Sequence, residues 1–364
     1  MERKHWIDIM RACGIFAIVY GHTVQGDSIV SHFLGSFRVA IFFFVMGLTF
    51  SYKKDFFKFL KSKSVRLLIP YLFFSLISII IFFIIAQILP SIVDGMTTDI
   101  FPNLCGALYA NGLTGYMKWN LPLWFLPCSL VALVIVYFIE YLIIKFANKK
   151  QILWRVIYIF FSIVLTLIYC QFFKNIHLPF GAEVAIPMSG FIEIGIICKC
   201  FDNRFSNKFH IIAGASFVVL GFVLQLWNGT VSVMSLSFGN YFFLYYASTL
   251  FTIIGLMFLS MWFASIKCMN FANKIIGYCG THTIAILCMH KFPIIVFQYI
   301  VPFTKNLLRT ESDSVLKNII GFLVTALVIG MCLVVEIPIQ RICPFILGNK
   351  KNKKQNNKCE MSKQ

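Results

Sequence analysis

The sequence predicts an all-α integral membrane protein with about ten transmembrane helices in one bundle. Three observations carry this prediction. Of the 364 residues, 59% are hydrophobic and only 13% are charged, where a soluble domain is typically about a quarter charged. Apolar stretches of roughly 20 residues recur from end to end, each long enough to cross a ~30 Å hydrocarbon core. The basic residues sit mostly at the ends of these stretches. The strand-like alternation of a membrane β-barrel is absent.

The spans fall near 9–24, 34–52, 67–89, 120–144, 156–174, 184–200, 211–228, 239–264, 277–302 and 318–340. The basic N-terminal segment is interrupted by Asp8 and Arg11 and is followed by no small-residue cleavage site, so it reads as a retained first helix rather than a signal peptide. Taking the connections alternately, 25 Lys and Arg residues fall on one side of the membrane and 7 on the other. That asymmetry places both termini in the cytoplasm. It also accounts for the net charge of +18 without nucleic acid as a partner. Residues 90–119, rich in Pro and Gly, are expected to form an irregular loop on the opposite side. Residues 1–348 form the membrane domain. The Lys- and Asn-rich segment 349–364 is expected to be a disordered tail attracted to lipid headgroups. The twelve cysteines are scattered, with Cys198 and Cys200 the only close pair. They suggest packing residues rather than a disulfide framework or a zinc site.

Ionisable groups inside a span cost roughly 2.5–3.5 kcal/mol each, so they point to function. The first span carries Asp8, Arg11 and His22. Arg11 and His22 are eleven residues apart, which puts them within about 20° of each other on a helix and ~16 Å apart along its axis. Asp8 lies on nearly the same stripe and pairs with Arg11 at a spacing of three. Headgroup anchoring explains Arg11 equally well, and capping or a carbonyl bond explains His22. A buried imidazole also serves as general base or proton shuttle. Metal is the weakest reading, because no second His or carboxylate stands at ligand spacing. Arg38 lies a few residues into the second span, where it snorkels outward or serves a site. Lys63 and Arg66, one turn apart before the third span, suit a phosphate-bearing ligand at a cytoplasmic mouth, or simply follow the positive-inside rule. In the ninth span Thr283 and His290 share a face. Glu140, Glu183, Glu193 and Glu336 lie near span ends and read as interfacial or structural.

These residues fall in a familiar order. Trp6-Ile7-Asp8, Arg11 and His22-Thr23 open it. The Phe-rich second span ending in Gly47 follows, then Lys63, Arg66 and Pro70. Leu121-Pro122-Leu123-Trp124-Phe125-Leu126-Pro127 starts the fourth span, and Gly280, Thr283 and His290 close the series. In these motifs, spread over the whole chain, the sequence resembles the membrane-bound acyltransferase family 3, particularly its fucose 4-O-acetylase-like branch. It departs from that branch at Arg38 and Ala40, where the branch usually has His and Pro, and at Met46, where it usually has Ser.

The resemblance implies transfer of an acyl group, usually acetyl, from cytoplasmic acyl-CoA to a hydroxyl of a sugar or envelope glycan. It implies acetyl-CoA as donor, a glycan acceptor, membrane lipids as surroundings, and no metal. His22, Arg11 and Asp8 become the expected catalytic residues. Lys63 and Arg66 become the expected CoA contacts, and Arg38, Trp124, Thr283 and His290 the expected substrate contacts. Lysine outnumbers arginine 24 to 8, a usage that fits an AT-rich bacterial genome and an inner-membrane location. Two other functions fit the same features: a multi-span transporter or exporter of a glycan or lipid-linked precursor, and an inactive family relative.

Overall fold

The computed structural model describes residues 4–25, 28–90, 96–199, 206–300, 307–309 and 313–348. The tail 349–364 and the basic residues Arg3, Arg204 and Lys305 lie outside them. The described residues form an all-α bundle. Eight segments are long and apolar enough to cross a membrane: Ile29–Leu48, Phe56–Ile88, Lys118–Phe146, Asn148–Phe172, Pro179–Cys198, Asn207–Asn228, Phe242–Ser265 and Val315–Ile342. Each corresponds to one expected span. The other two expected spans, the first and the ninth, are helical but differ in kind.

The first is α1 (His5–Thr23), of normal length but interrupted by polar residues. It runs through the middle of the bundle and packs against α2 (Ile29–Phe37), α3 (Ala40–Leu48), α10 (Phe242–Ser265), α11 (Asn270–Thr281), α12 (Thr283–Met289), α13 (Lys291–Ile300) and α14 (Val315–Ile342). Its neighbours shield it from lipid, which is why a helix this polar is tolerated at membrane depth. Met10, Ile15, Ala17, Val19 and Tyr20 are all buried.

The ninth expected span, 277–302, is not one helix. It is broken at His282 and His290 into α11, α12 and α13. At both junctions a histidine ring bonds the preceding turn, and at His282 the backbone itself leaves the helical region (φ −106°, ψ 20°). The His282 ring Nδ1 donates to the Tyr278 carbonyl at 2.7 Å, and the His290 Nδ1 bonds the carbonyls of Ile286 and Leu287 at 3.0 Å each. Side chains that bond the preceding turn compete with the helical ladder. The second span is likewise divided, into α2 and α3, with Arg38 and Val39 between them.

The expected irregular loop 90–119 contains a helix, α5 (Ile100–Tyr109). Its proline, Pro102, lies in the first turn, where the missing N–H costs nothing. Asn103 is buried; its amide donates to the carbonyls of Thr97 and Asp99, and its Oδ1 accepts from the Met117 N–H at 3.0 Å. One side chain thus ties the whole connection to the helix start.

The remaining helices are α4 (Phe56–Ile88), α6 (Phe125–Phe146), α7 (Gln151–Phe172), α8 (Ala182–Cys198) and α9 (Asn207–Asn228). At 33 residues, α4 is about 50 Å long, so its basic first turns extend beyond a ~30 Å hydrocarbon core. Between α6, α7 and α8 a buried ionic cluster forms. Arg155 donates to both oxygens of Glu140 at 2.7 and 2.8 Å and stands 3.5 Å from Glu193. Glu183 accepts from the Asn111 amide at 2.6 Å and from the Leu178 N–H at 3.2 Å. These carboxylates are buried structural ties.

Helix α3 meets α8 backbone to backbone. A Cβ at Gly47 would lie 2.0 Å from the Ile192 carbonyl oxygen, and one at Gly195 would lie 2.1 Å from that of Phe44. Small residues are the usual means of such close approach in membranes. Gly195→Val is therefore expected to push the helices apart, costing about 1–3 kcal/mol or more. Thermal denaturation in detergent reads this as a lowered Tm, and an unchanged Tm would contradict the close packing.

Candidate functional site

One face of α1 organises the site. Arg11, Ile15, Ile18 and His22 follow one another at helical spacing, and all four line cavities. Arg11 and Ile15 line one of about 110 Å³; Ile18 and His22 line a second of about 220 Å³. Other elements show the same progression. Phe42, Val45, Met46 and Thr49 of the second span face the first cavity, while Gly35, Arg38 and Val39 face the second. The cavities therefore lie at successive depths along the same helices. Phe125 and Leu287 belong to both and form the partition between them.

The first cavity is the cationic mouth. Arg11, Lys63, Arg66, Thr49 and Thr283 line it. Arg11 is held by Asp8, whose carboxylate accepts from the guanidinium at 2.9 Å. Asp8 itself is buried and lines neither cavity; it orients the arginine. Gly280 explains the local closeness, since a Cβ there would lie 1.7 Å from the Asp8 carbonyl oxygen. At the same end the last described residue, Gly348, packs on the backbone of Arg66.

The second cavity holds His22, Arg38 and Trp124, with Leu121 and Pro122 beside them. His290 is fully buried behind His22, with the two ring centroids 5.3 Å apart and tilted by 38°. A carbonyl oxygen only accepts, so the His290 Nδ1 that bonds Ile286 and Leu287 carries the proton. Its Nε2 is then the unprotonated nitrogen, and it has no partner among the described residues. Among the described residues no group of three or more His, Cys, Asp or Glu is placed to hold a metal ion.

All nine residues that the sequence singles out thus line or support these two adjoining cavities. Arg11, Lys63, Arg66 and Thr283 line the first, and His22, Arg38 and Trp124 the second. Asp8 supports Arg11, and His290 touches His22. Three features escape a sequence reading. Phe125 lies inside the motif at the start of α6 but reads as one more apolar residue. Leu287 sits in an apolar run. Ser232, Val233 and Met234, on the turn after α9, reach into the second cavity; a Ser232–Ser237 bridge holds that turn.

The partition is testable. In a cysteine-free background, Ile18→Cys is expected to react with a membrane-impermeant maleimide from one face only. Adding Phe125→Ala is expected to allow reaction from both. Labelling from both faces without the second change would show the cavities already joined.

A family model described as an acyltransferase domain, that of acyltransferase family 3, matches residues 4–337. No curated protein and no solved structure matches the chain. The match covers nearly the whole chain, which therefore belongs to acyltransferase family 3.

Proposed function

We propose that this membrane acyltransferase moves an acetyl group from acetyl-CoA, bound at the Lys63–Arg66 mouth, to a sugar hydroxyl entering the His22 cavity. The observation that carries this reading is the pair of cavities that meet at Phe125 and Leu287, one cationic and one containing the histidine. The order of motifs along the chain favours the fucose 4-O-acetylase-like branch.

The chemistry follows from the residue types. Acetyl-CoA is polyanionic, and Lys63 and Arg66 supply charge where its phosphates arrive. At about 110 Å³ the first cavity is too small for the nucleotide, so only the thioester arm enters. His22 takes the proton of the acceptor hydroxyl as its oxygen attacks the thioester carbonyl. The carbon–sulfur bond breaks, the ester forms, and the imidazolium returns the proton to the leaving thiolate as CoA-SH. Arg11, fixed by Asp8 and about 16 Å along α1 from His22, adds positive charge at the mouth where a phosphate of the donor arrives. His290, whose ring packs against that of His22, helps hold the imidazole in place. The acceptor is a cell-envelope or surface glycan. The basic mouth faces the cytoplasm, where acetyl-CoA is found, with both termini on that side of a bacterial inner membrane.

Two measurements test this. His22→Ala is expected to lower acetyl transfer by about 10²–10⁴-fold while leaving the protein in the membrane with its affinity for CoA. Transfer at the normal rate in that variant would sink the assignment. The double change Lys63→Ala with Arg66→Ala is expected to raise the KM for acetyl-CoA by about tenfold or more, as the loss of two charge-assisted contacts requires. Uptake of a glycan precursor into protein-only vesicles without any acyl donor would point to a transporter.

A further inference from the structure

Among the described residues Arg38 has no hydrogen-bond or ion-pair partner. It stands at the break between α2 and α3, and its guanidinium passes over the α1 backbone at Gly21, where a Cβ would lie 1.7 Å from Nη1. Gly21 is the residue before His22, so the guanidinium is seated beside the base. Among the described residues no carboxylate, carbonyl or hydroxyl accepts a hydrogen bond from it. Other internal arginines differ: Arg11 is paired with Asp8 and Arg155 with Glu140. None of the described residues lining this cavity is acidic. Lys291, which follows His290, adds a further positive charge acting on His22.

A cation held at membrane depth with no counter-charge costs several kcal/mol. Its planar fork fits a carboxylate or a phosphate through two parallel hydrogen bonds. At about 220 Å³, the cavity is smaller than the ~300–1,000 Å³ of drug-sized sites, so it admits one sugar residue rather than an oligosaccharide. We propose that the acceptor is an anionic sugar whose carboxylate or phosphate binds Arg38, presenting a neighbouring hydroxyl to His22. This rests on the acyltransferase reading and adds the substrate class to it. Gly21 then serves specificity, because it alone leaves room for the guanidinium next to His22.

The test uses the full chain in lipid nanodiscs with radiolabelled acetyl-CoA and three acceptors sharing one ring: methyl glucoside, methyl glucuronide, and methyl glucoside 6-phosphate. One of the two anionic sugars is expected to exceed the neutral one in kcat/KM by about tenfold or more, the span of one charge-assisted contact. Which one wins identifies the anion. In Arg38→Gln the ratio is expected to fall below about threefold, since that contact is gone, and Arg38→Lys is expected to restore part of it. Equal use of all three acceptors by the unaltered protein would overturn the proposal. So would an equal loss with all three in Arg38→Gln, which would mark an oxyanion or packing role. Where Arg38→Gln does not fold, Gly21→Ala displaces the guanidinium and is read in the same way. Thermal stabilisation by each sugar without donor separates the two layers of inference. Stabilisation by an anionic sugar that is lost in Arg38→Gln, with no transfer to any acceptor, keeps the anion site and rejects acyl transfer. Neither stabilisation nor transfer rejects the anion site itself.

Discussion

The burial of α1 is the constraint on which the rest depends. A helix carrying Asp8, Arg11 and His22 would be expensive against lipid. Here it is enclosed by α2, α3, α10, α11, α12, α13 and α14, so Arg11 and His22 face protein cavities and Asp8 is buried against protein rather than lipid. Close approach makes the enclosure possible. Gly280 lies on the Asp8 backbone and Gly21 lies under Arg38. The eight long apolar segments then act as a jacket, with α7 presenting Trp154, Phe160 and Phe161 outward as exposed side chains.

The breaks in the helices belong to the same design. Interruptions at Arg38, His282 and His290 occur where side chains turn to the cavities or bond backbone carbonyls. Irregular backbone is tolerated at membrane depth where it is buried in protein or lines a cavity. The two short helices α2 and α3 let one span face both cavities in succession. The short α12 does the same with Thr283 at one level and Leu287 at the partition.

Several features were legible because a single local rule governs them. The Asp8–Arg11 pair follows from a spacing of three on a helix, and the shared face of Arg11 and His22 follows from a spacing of eleven. Others depended on contacts far apart in sequence. Residues 100–109 read as loop because of Pro102 and Gly106, yet Asn103 and the packing of Tyr116 over Gly106 make them helical. Glu193 reads as a residue near a span end, yet it is fully buried beside Arg155 and Glu140. Met234 carries no chemical signal at all; only the fold of its turn brings it to the His22 cavity.

By itself the sequence determined that this chain lies in a bilayer, roughly where its spans run, and which polar residues break them. Hydropathy and helical periodicity are local properties, and the motifs that resemble acyltransferase family 3 are strings of neighbouring residues. The tertiary structure decided what those residues surround. It made the first helix a buried axis rather than one more lipid-facing span. It divided the ninth span at two histidines, placed Phe125 and Leu287 between two cavities, and left Arg38 beside His22 with no counter-charge among the described residues. Those outcomes depend on which helices touch and how closely, and no one-dimensional pattern carries that information.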